Sequence, residues 1–209
     1  MIKDLTILPT RCGNCNEEVI LHAKDLEGNI EYLDGKNSNF TYEVDCCPKC
    51  LYASLDLEKS TNMGTKLKVK TRKYKEIFED DTIDENLRTI EAALFLTKDK
   101  KEEYLLNMYA AWHLENIGEY SDNYRRKANK IFNEEYKKRQ IPLKNVLENI
   151  DSTRILGEME ESLEKINRLK EEARKAGYKF SREETNFLEL EENWNKQLDK
   201  TPHTIEEIK

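Results

Sequence analysis

Two C-x-x-C pairs constrain this chain more than anything else in it. Cys12-Gly13-Asn14-Cys15 and Cys47-Pro48-Lys49-Cys50 hold four of the five cysteines. Two residues between cysteines let the chain turn so that both sulfurs face one ion, with backbone N–H groups pointing back at the thiolates. Two such turns supply four sulfurs, a closed tetrahedral shell suited to zinc. The stretch between the pairs is longer than in a compact zinc ribbon, which predicts an inserted hairpin.

The fifth cysteine sits in "VDCCPKC" (44–50) beside a ligand candidate. In "NFTYEVDCC" (39–47), Phe40, Tyr42, Val44 and Cys46 alternate with Thr41, Glu43 and Asp45, the period of a half-buried strand. Cys46 then belongs to the apolar face as a small core residue. Cys47 falls on the opposite phase and opens the turn as a ligand. Two other chemistries use the same sulfurs. A redox dithiol needs a C-x-x-C at the start of a long helix, and neither pair has that setting. An iron–sulfur cluster accepts the same four thiolates. A catalytic zinc needs an open position, which four cysteines fill. His22 in place of one cysteine would open the shell, but at a strand end it reads as an ordinary residue.

Charged residues make up 37% of the 209-residue chain, and glycines (seven) and prolines (four) are few. That favours long exposed helices over a sandwich or barrel, which needs many turns. The formal charge is −7. An acidic chain is a poor general ligand for nucleic acid, whose phosphates reward basic patches. "MIKDLTILPTRC" lacks a basic-then-apolar leader, and no apolar run reaches membrane-span length. The expected compartment is cytoplasmic, where paired cysteines serve as metal ligands or redox groups more often than as disulfides.

Residues 1–60 hold all the cysteines and read as a β-rich zinc-binding module. "EEVILHA" (17–23) is a strand-length apolar run, and turn residues surround Gly28 and Gly35. Residues 61–80 read as a basic connector containing "KLKVKTRKYK" (66–75). Its lysines suit either phosphate contacts or a solvated, edge-blunting strand. Asp81, Thr82 and Asp84 are N-cap candidates for the first long helix. Residues 81–209 read as helices: about 84–98, 100–117 with a cap at Gly118, 120–139, a short segment 143–150, 152–176 stopping at Gly177, and 181–199 opened by a Ser181/Glu184 capping box. The hairpin over 110–136, with Gly118 at the turn and Ala128 and Phe132 four apart, has a loose tetratricopeptide-like layout.

Trp112 and Trp194 read as core anchors, and His113 as a surface or satisfied core residue. Leu156, Met159, Leu163, Ile166 and Ala173 occupy heptad positions interrupted by Lys170. They suit one face of a bundle helix, or a homodimer seam over 156–173. No Gly-rich phosphate loop, H-E-x-x-H or G-x-S-x-G occurs.

"NSNFTYEVDCCPKCLYAS" (37–54) resembles the second zinc knuckle of a bacterial family, domain-of-unknown-function family 2225. Asn37, Tyr42, Val44, Cys47, Pro48, Cys50, Tyr52 and Ala53 carry the match. "RTIEAALFL" (88–96) and "MYAAWHLENIGEY" (108–120) resemble its helical region. Leu51 stands where that family has glycine, and Gly13 follows Cys12 where the family has proline. The resemblance implies a zinc-binding N-terminal part and tetratricopeptide-like helices, and no known activity.

Together these readings predict an α+β, mainly α chain: a small β-rich zinc module on Cys12, Cys15, Cys47 and Cys50, then antiparallel helical hairpins over 81–209. The expected function is a non-enzymatic interaction or adaptor protein that takes a protein or peptide partner on its helical surface. The alternative is a nucleic-acid-associated regulator using residues 66–75.

Overall fold

A computed structural model describes residues 7–22, 31–36, 44–138 and 141–209. Most of the strand expected over 39–47 and the turn at Gly28 lie outside the described residues. The described chain is α+β and mainly helical, with eight helices and two short β-hairpins. It divides into two compact units: residues 1–27 with 41–124, and residues 28–40 with 125–209.

In the first unit, β1 (Ile7–Arg11) pairs antiparallel with β2 (Glu18–His22), from Ile7 opposite His22 to Arg11 opposite Glu18. A second hairpin pairs β3 (Asp45–Cys46) with β4 (Ala53–Ser54). Each C-x-x-C is thus the turn of a hairpin. Strand β1 lacks a clean alternation, and its Pro9 fits only an edge position, so pattern alone does not predict it.

The basic connector is not a strand. It folds as α1 (Met63–Lys68) and α2 (Arg72–Glu79), each opened by a side chain that accepts a backbone N–H: Asn62 from Thr65, and Thr71 from Tyr74. These caps satisfy orphan donors of the first turn and outweigh the alternating lysines that suggest a strand. Then come α3 (Glu85–Leu96), capped by Asp84, and α4 (Lys100–Asn116), capped by Asp99. Helix α3 packs on both α2 and α4. Tyr74, Ile90, Ala92, Ala93, Leu106, Met108, Ala110 and Ala111 form their buried face. His113 is buried there, its Nε2 2.5 Å from the Asp84 carboxylate that also caps α3. Burial holds this imidazole below its ordinary pKa, so the neutral ring donates to Asp84.

The second unit contains most of α5 (Asp122–Tyr136), then α6 (Leu143–Ile155), α7 (Met159–Ala176) and α8 (Arg182–Gln197). Helix α7 packs against both α6 and α8. The expected break at residue 151 falls instead at Gly157, where φ is +78° and the Glu158 N–H reaches back to the Thr153 carbonyl. Gly177 ends α7 in the same way, with Tyr178 N–H on the Ala173 carbonyl. The capping box of Ser181 and Glu184 opens α8. Leu156, Met159, Ile166 and Ala173 are buried within this unit, and Leu163 is half-buried, so the heptad positions form one packed face of the bundle.

The units do not follow the expected boundaries at 60 and 81. Helices α3 and α4 belong with the cysteine hairpins. The 31–36 loop belongs with the C-terminal helices, because Leu33 N–H bonds to His203 and Ile205 N–H to Glu31. In addition, Asp34 holds the fully buried Arg125 at 2.6 Å. The tetratricopeptide-like hairpin expected over 110–136 straddles the division, which falls inside α5.

The second unit also buries charge. Asn149, Asp151, Ser152, Thr153 and Arg154 of α6 are all buried. Arg154 pairs with Asp151, donates from Nε to the Glu191 carboxyl of α8 at 3.2 Å and to the Asp199 carbonyl at 2.7 Å, and lies over the Trp194 ring. Trp194 in turn stacks flat on His203, with ring centroids 3.7 Å apart. Lys165 of α7 is held by Asn129, Asn149 and Thr153 and pairs with Glu161. Buried charges persist only when paired and hydrogen-bonded in this way.

Candidate metal centre

The four cysteine sulfurs of Cys12, Cys15, Cys47 and Cys50 all lie within 4.8 Å of one another. Cys12 Sγ is 3.8 Å from Cys50 Sγ, and Cys15 Sγ is 3.8 Å from Cys47 Sγ. A disulfide needs about 2.05 Å, so these are four thiols brought together unbonded. A tetrahedral ion with metal–sulfur bonds of about 2.3 Å sets its sulfurs about 3.8 Å apart. The donor set therefore fits one ion of zinc size.

The two turns are built alike. The Cys12 N–H bonds to the Glu17 carbonyl at 3.0 Å, and the Cys47 N–H to the Tyr52 carbonyl at 2.8 Å. The Asn16 N–H closes on Cys12 and the Leu51 N–H on Cys47, both at 2.8 Å. Asn16 and Leu51 both have positive φ, 66° and 62°. Each hairpin thus ends in the same closed loop, and the two loops place two sulfurs each at a common point. Cys12 and Cys47 are fully buried, while Cys15 and Cys50 are partly exposed.

Neighbouring groups hold the loops in place. Asn14 Nδ2 donates to Cys50 Sγ at 3.4 Å across the centre, and Thr61 Oγ1 donates to Asn14 Oδ1 at 3.0 Å. The Gly13 N–H bonds to the Leu57 carbonyl. Gly13 lies so close to the 58–59 backbone that a Cβ there would meet Lys59 O at 2.1 Å. The fully buried Tyr74 of α2 donates its hydroxyl to the Leu51 carbonyl at 2.6 Å. The α2 helix, which sequence patterning does not reveal, thereby fixes the second loop. Asn14, Thr61 and Tyr74 escape sequence reasoning because each acts on a partner at least 23 residues away. Gly13 is visible only as part of a turn.

The thiols are tuned by position. Burial raises the Cys12 thiol, and burial pushes Cys50 up to about 12. Burial also acts on Cys47, but backbone N–H groups of Cys50 and Lys49 outweigh it and bring Cys47 below its ordinary value. Those N–H groups are the ones that the C-x-x-C spacing points at a sulfur. Cys46 stands apart from the four. Its sulfur faces the Cys47 carbonyl at 3.9 Å, and burial pushes its thiol up to about 12. His22 lies in β2.

Around Cys15 and Cys50 the surface is concave, with a volume of about 440 Å³. Lys49, Lys66, Lys70 and Lys75 line it, and no carboxylate among the described residues does.

No helix among the described residues is long and apolar enough to cross a membrane. No family model, curated protein or solved structure matches this chain.

Proposed function

We propose that Cys12, Cys15, Cys47 and Cys50 hold a zinc ion whose role is structural, and that the chain is a non-enzymatic cytoplasmic interaction protein. One observation carries this reading: four sulfurs, delivered by two equivalent loops, lie within 4.8 Å of one another, and two of the pairs are at the 3.8 Å of a single tetrahedral ion. Four thiolates complete such a shell and leave no position for water or substrate. A multi-iron cluster would place several metals between the sulfurs and hold them farther apart. The hairpins are short, so metal binding supplies folding free energy that their few backbone bonds do not. The resemblance of residues 37–54 to the zinc knuckle of domain-of-unknown-function family 2225 implies the same metal. The second unit's helices then offer the surface for a protein or peptide partner.

Elemental analysis of the full chain tests the metal. One zinc per chain is expected, retained in Cys46→Ala and lost in Cys47→Ser. Zinc removal by a strong chelator should collapse the dispersed amide signals of the cysteine hairpins while most helicity survives. Iron in place of zinc, or hairpins unchanged without metal, would reverse the assignment.

A further inference from the structure

We propose that the lysine-lined concavity over the Cys15–Cys50 edge of the metal centre binds the sugar–phosphate backbone of single-stranded nucleic acid. This goes beyond the structural reading of zinc. It needs the two loops folded and asks no chemistry of the metal.

The charge pattern is local and one-sided. Between Glu58 and Glu76 the chain has seven basic residues and no acidic one, in a protein whose formal charge is −7. The structure sorts these cations by use. Lys59 pairs with Glu102, and Arg72 pairs with Glu76. Lys68 donates to the Phe95 carbonyl, and Lys73 lies over the Phe95 ring. Lys66, Lys70 and Lys75 have no ion pair among the described residues, and neither does Lys49 of the second loop. These four exposed lysines are the ones that line the concavity. They come from the second loop, from α1, from the residues just after it and from α2, so folding, not sequence adjacency, collects them.

The metal centre does not consume this charge. Four thiolates and a divalent ion sum to about two negative charges. Four lysines overbalance that and leave the rim positive. The shape then selects the ligand. A concavity of about 440 Å³ has room for a short stretch of a single strand. Each phosphodiester carries one charge, so successive phosphates of a strand match spaced lysines better than a lone phosphate would. No aromatic side chain among the described residues lines the site to stack a base, so contact is to the backbone and independent of sequence. Met63 and Leu67 of α1 are exposed beside the lysines, which makes an anionic lipid surface the alternative to exclude.

The test uses the zinc-loaded full chain and a fluorescent thymidine oligomer of about 20 nucleotides, read by anisotropy. If all four lysines meet phosphates, log K against log salt should fall with a slope of about −3. K66Q/K70Q should bind about tenfold more weakly at low salt and halve that slope to about −1.5. K179Q/K196Q, with the same change of charge elsewhere, should leave both unchanged. Equal loss in the two double variants, tighter binding of the matching duplex, or stronger binding to phosphatidylserine vesicles than to the oligomer would each overturn the proposal. Metal content measured on the same samples separates this outcome from failure of the zinc reading. K66Q/K70Q should keep its zinc whether or not it binds.

Discussion

Asn16 and Leu51 occupy the same place in the two cysteine loops, each four residues after the first cysteine and each in left-handed backbone, φ 66° and 62°. Asparagine tolerates that conformation, but leucine places its Cβ against the following carbonyl at a cost of about 1–2 kcal/mol. The loop accepts the strain because the Leu51 N–H closes on Cys47 and the Leu51 carbonyl receives the Tyr74 hydroxyl. Substitution at this site should therefore rank by backbone freedom. Leu51→Gly should match or exceed the native chain in thermal unfolding of the hairpins. Leu51→Val, whose branched Cβ worsens the clash, should fall about 1–2 kcal/mol below Leu51→Gly. A valine variant as stable as the glycine variant would show that the left-handed turn is not kept.

Gly13 is required for a different reason. Its backbone lies outside the left-handed region, but the space for a side chain is taken by the Lys59 carbonyl. Unlike the far end of a long side chain, a backbone carbonyl in a turn cannot swing aside. Gly13→Ala should cost about 2–3 kcal/mol of stability by overpacking, measured by urea denaturation, and should speed zinc transfer to a chromogenic chelator. Unchanged stability and transfer would mean that the first loop does not rest on the 57–61 segment.

Protons should compete with the metal in a definite proportion. Cys12 and Cys50 have thiols raised by burial, and so are protonated at neutral pH in the metal-free site. Cys47 is brought below its ordinary value by the backbone N–H groups of Cys50 and Lys49. Binding one zinc should then release about three to four protons, so affinity climbs steeply with pH and the holo protein loses stability as pH falls. Calorimetry in buffers of different ionisation enthalpy counts the protons directly. Cys46→Ala should leave the count unchanged, since Cys46 lies outside the cluster. A count near one would be incompatible with four thiolate ligands.

The features legible in the sequence are local. The C-x-x-C spacing places the loops, Asp84 is among the cap candidates, and Ser181 with Glu184 opens the last long helix. Each signal lies within a few residues of its effect. The features that escape depend on distant partners. The polar 149–154 run is buried because Arg154 meets Glu191, 37 residues on, and Ser152 accepts from Arg125, 27 residues back. The same polarity masks where α6 ends. The lysines of 66–75 look strand-like because their alternation is plain, whereas the Asn62 and Thr71 caps that decide for helix are single residues just before each helix.

The Arg154–Glu191 pair should respond to pH, with a sign set by burial. Burial first, and the neighbouring Asp151 second, push the Glu191 carboxyl up to about 10. A folded-state value above the ordinary one favours the protonated form. The stability it supports is complete below the ordinary value of 4.5 and is lost as pH rises toward 10. At neutral pH Glu191 is mainly a neutral hydrogen-bonding group beside Arg154, and Glu191→Gln imitates it. That variant should unfold within about 1 kcal/mol of the native chain at neutral pH and should flatten the alkaline decline. Arg154→Met is different. It strips the guanidinium from Asp151 and from the Asp199 carbonyl as well, leaving buried polar groups without their partner. Its cost should be about 3–5 kcal/mol. Urea denaturation of both variants at acid, neutral and alkaline pH checks the pair. If Glu191→Gln proved as damaging as Arg154→Met, Glu191 would be ionised in the fold, and the buried cluster would balance its charges in another way.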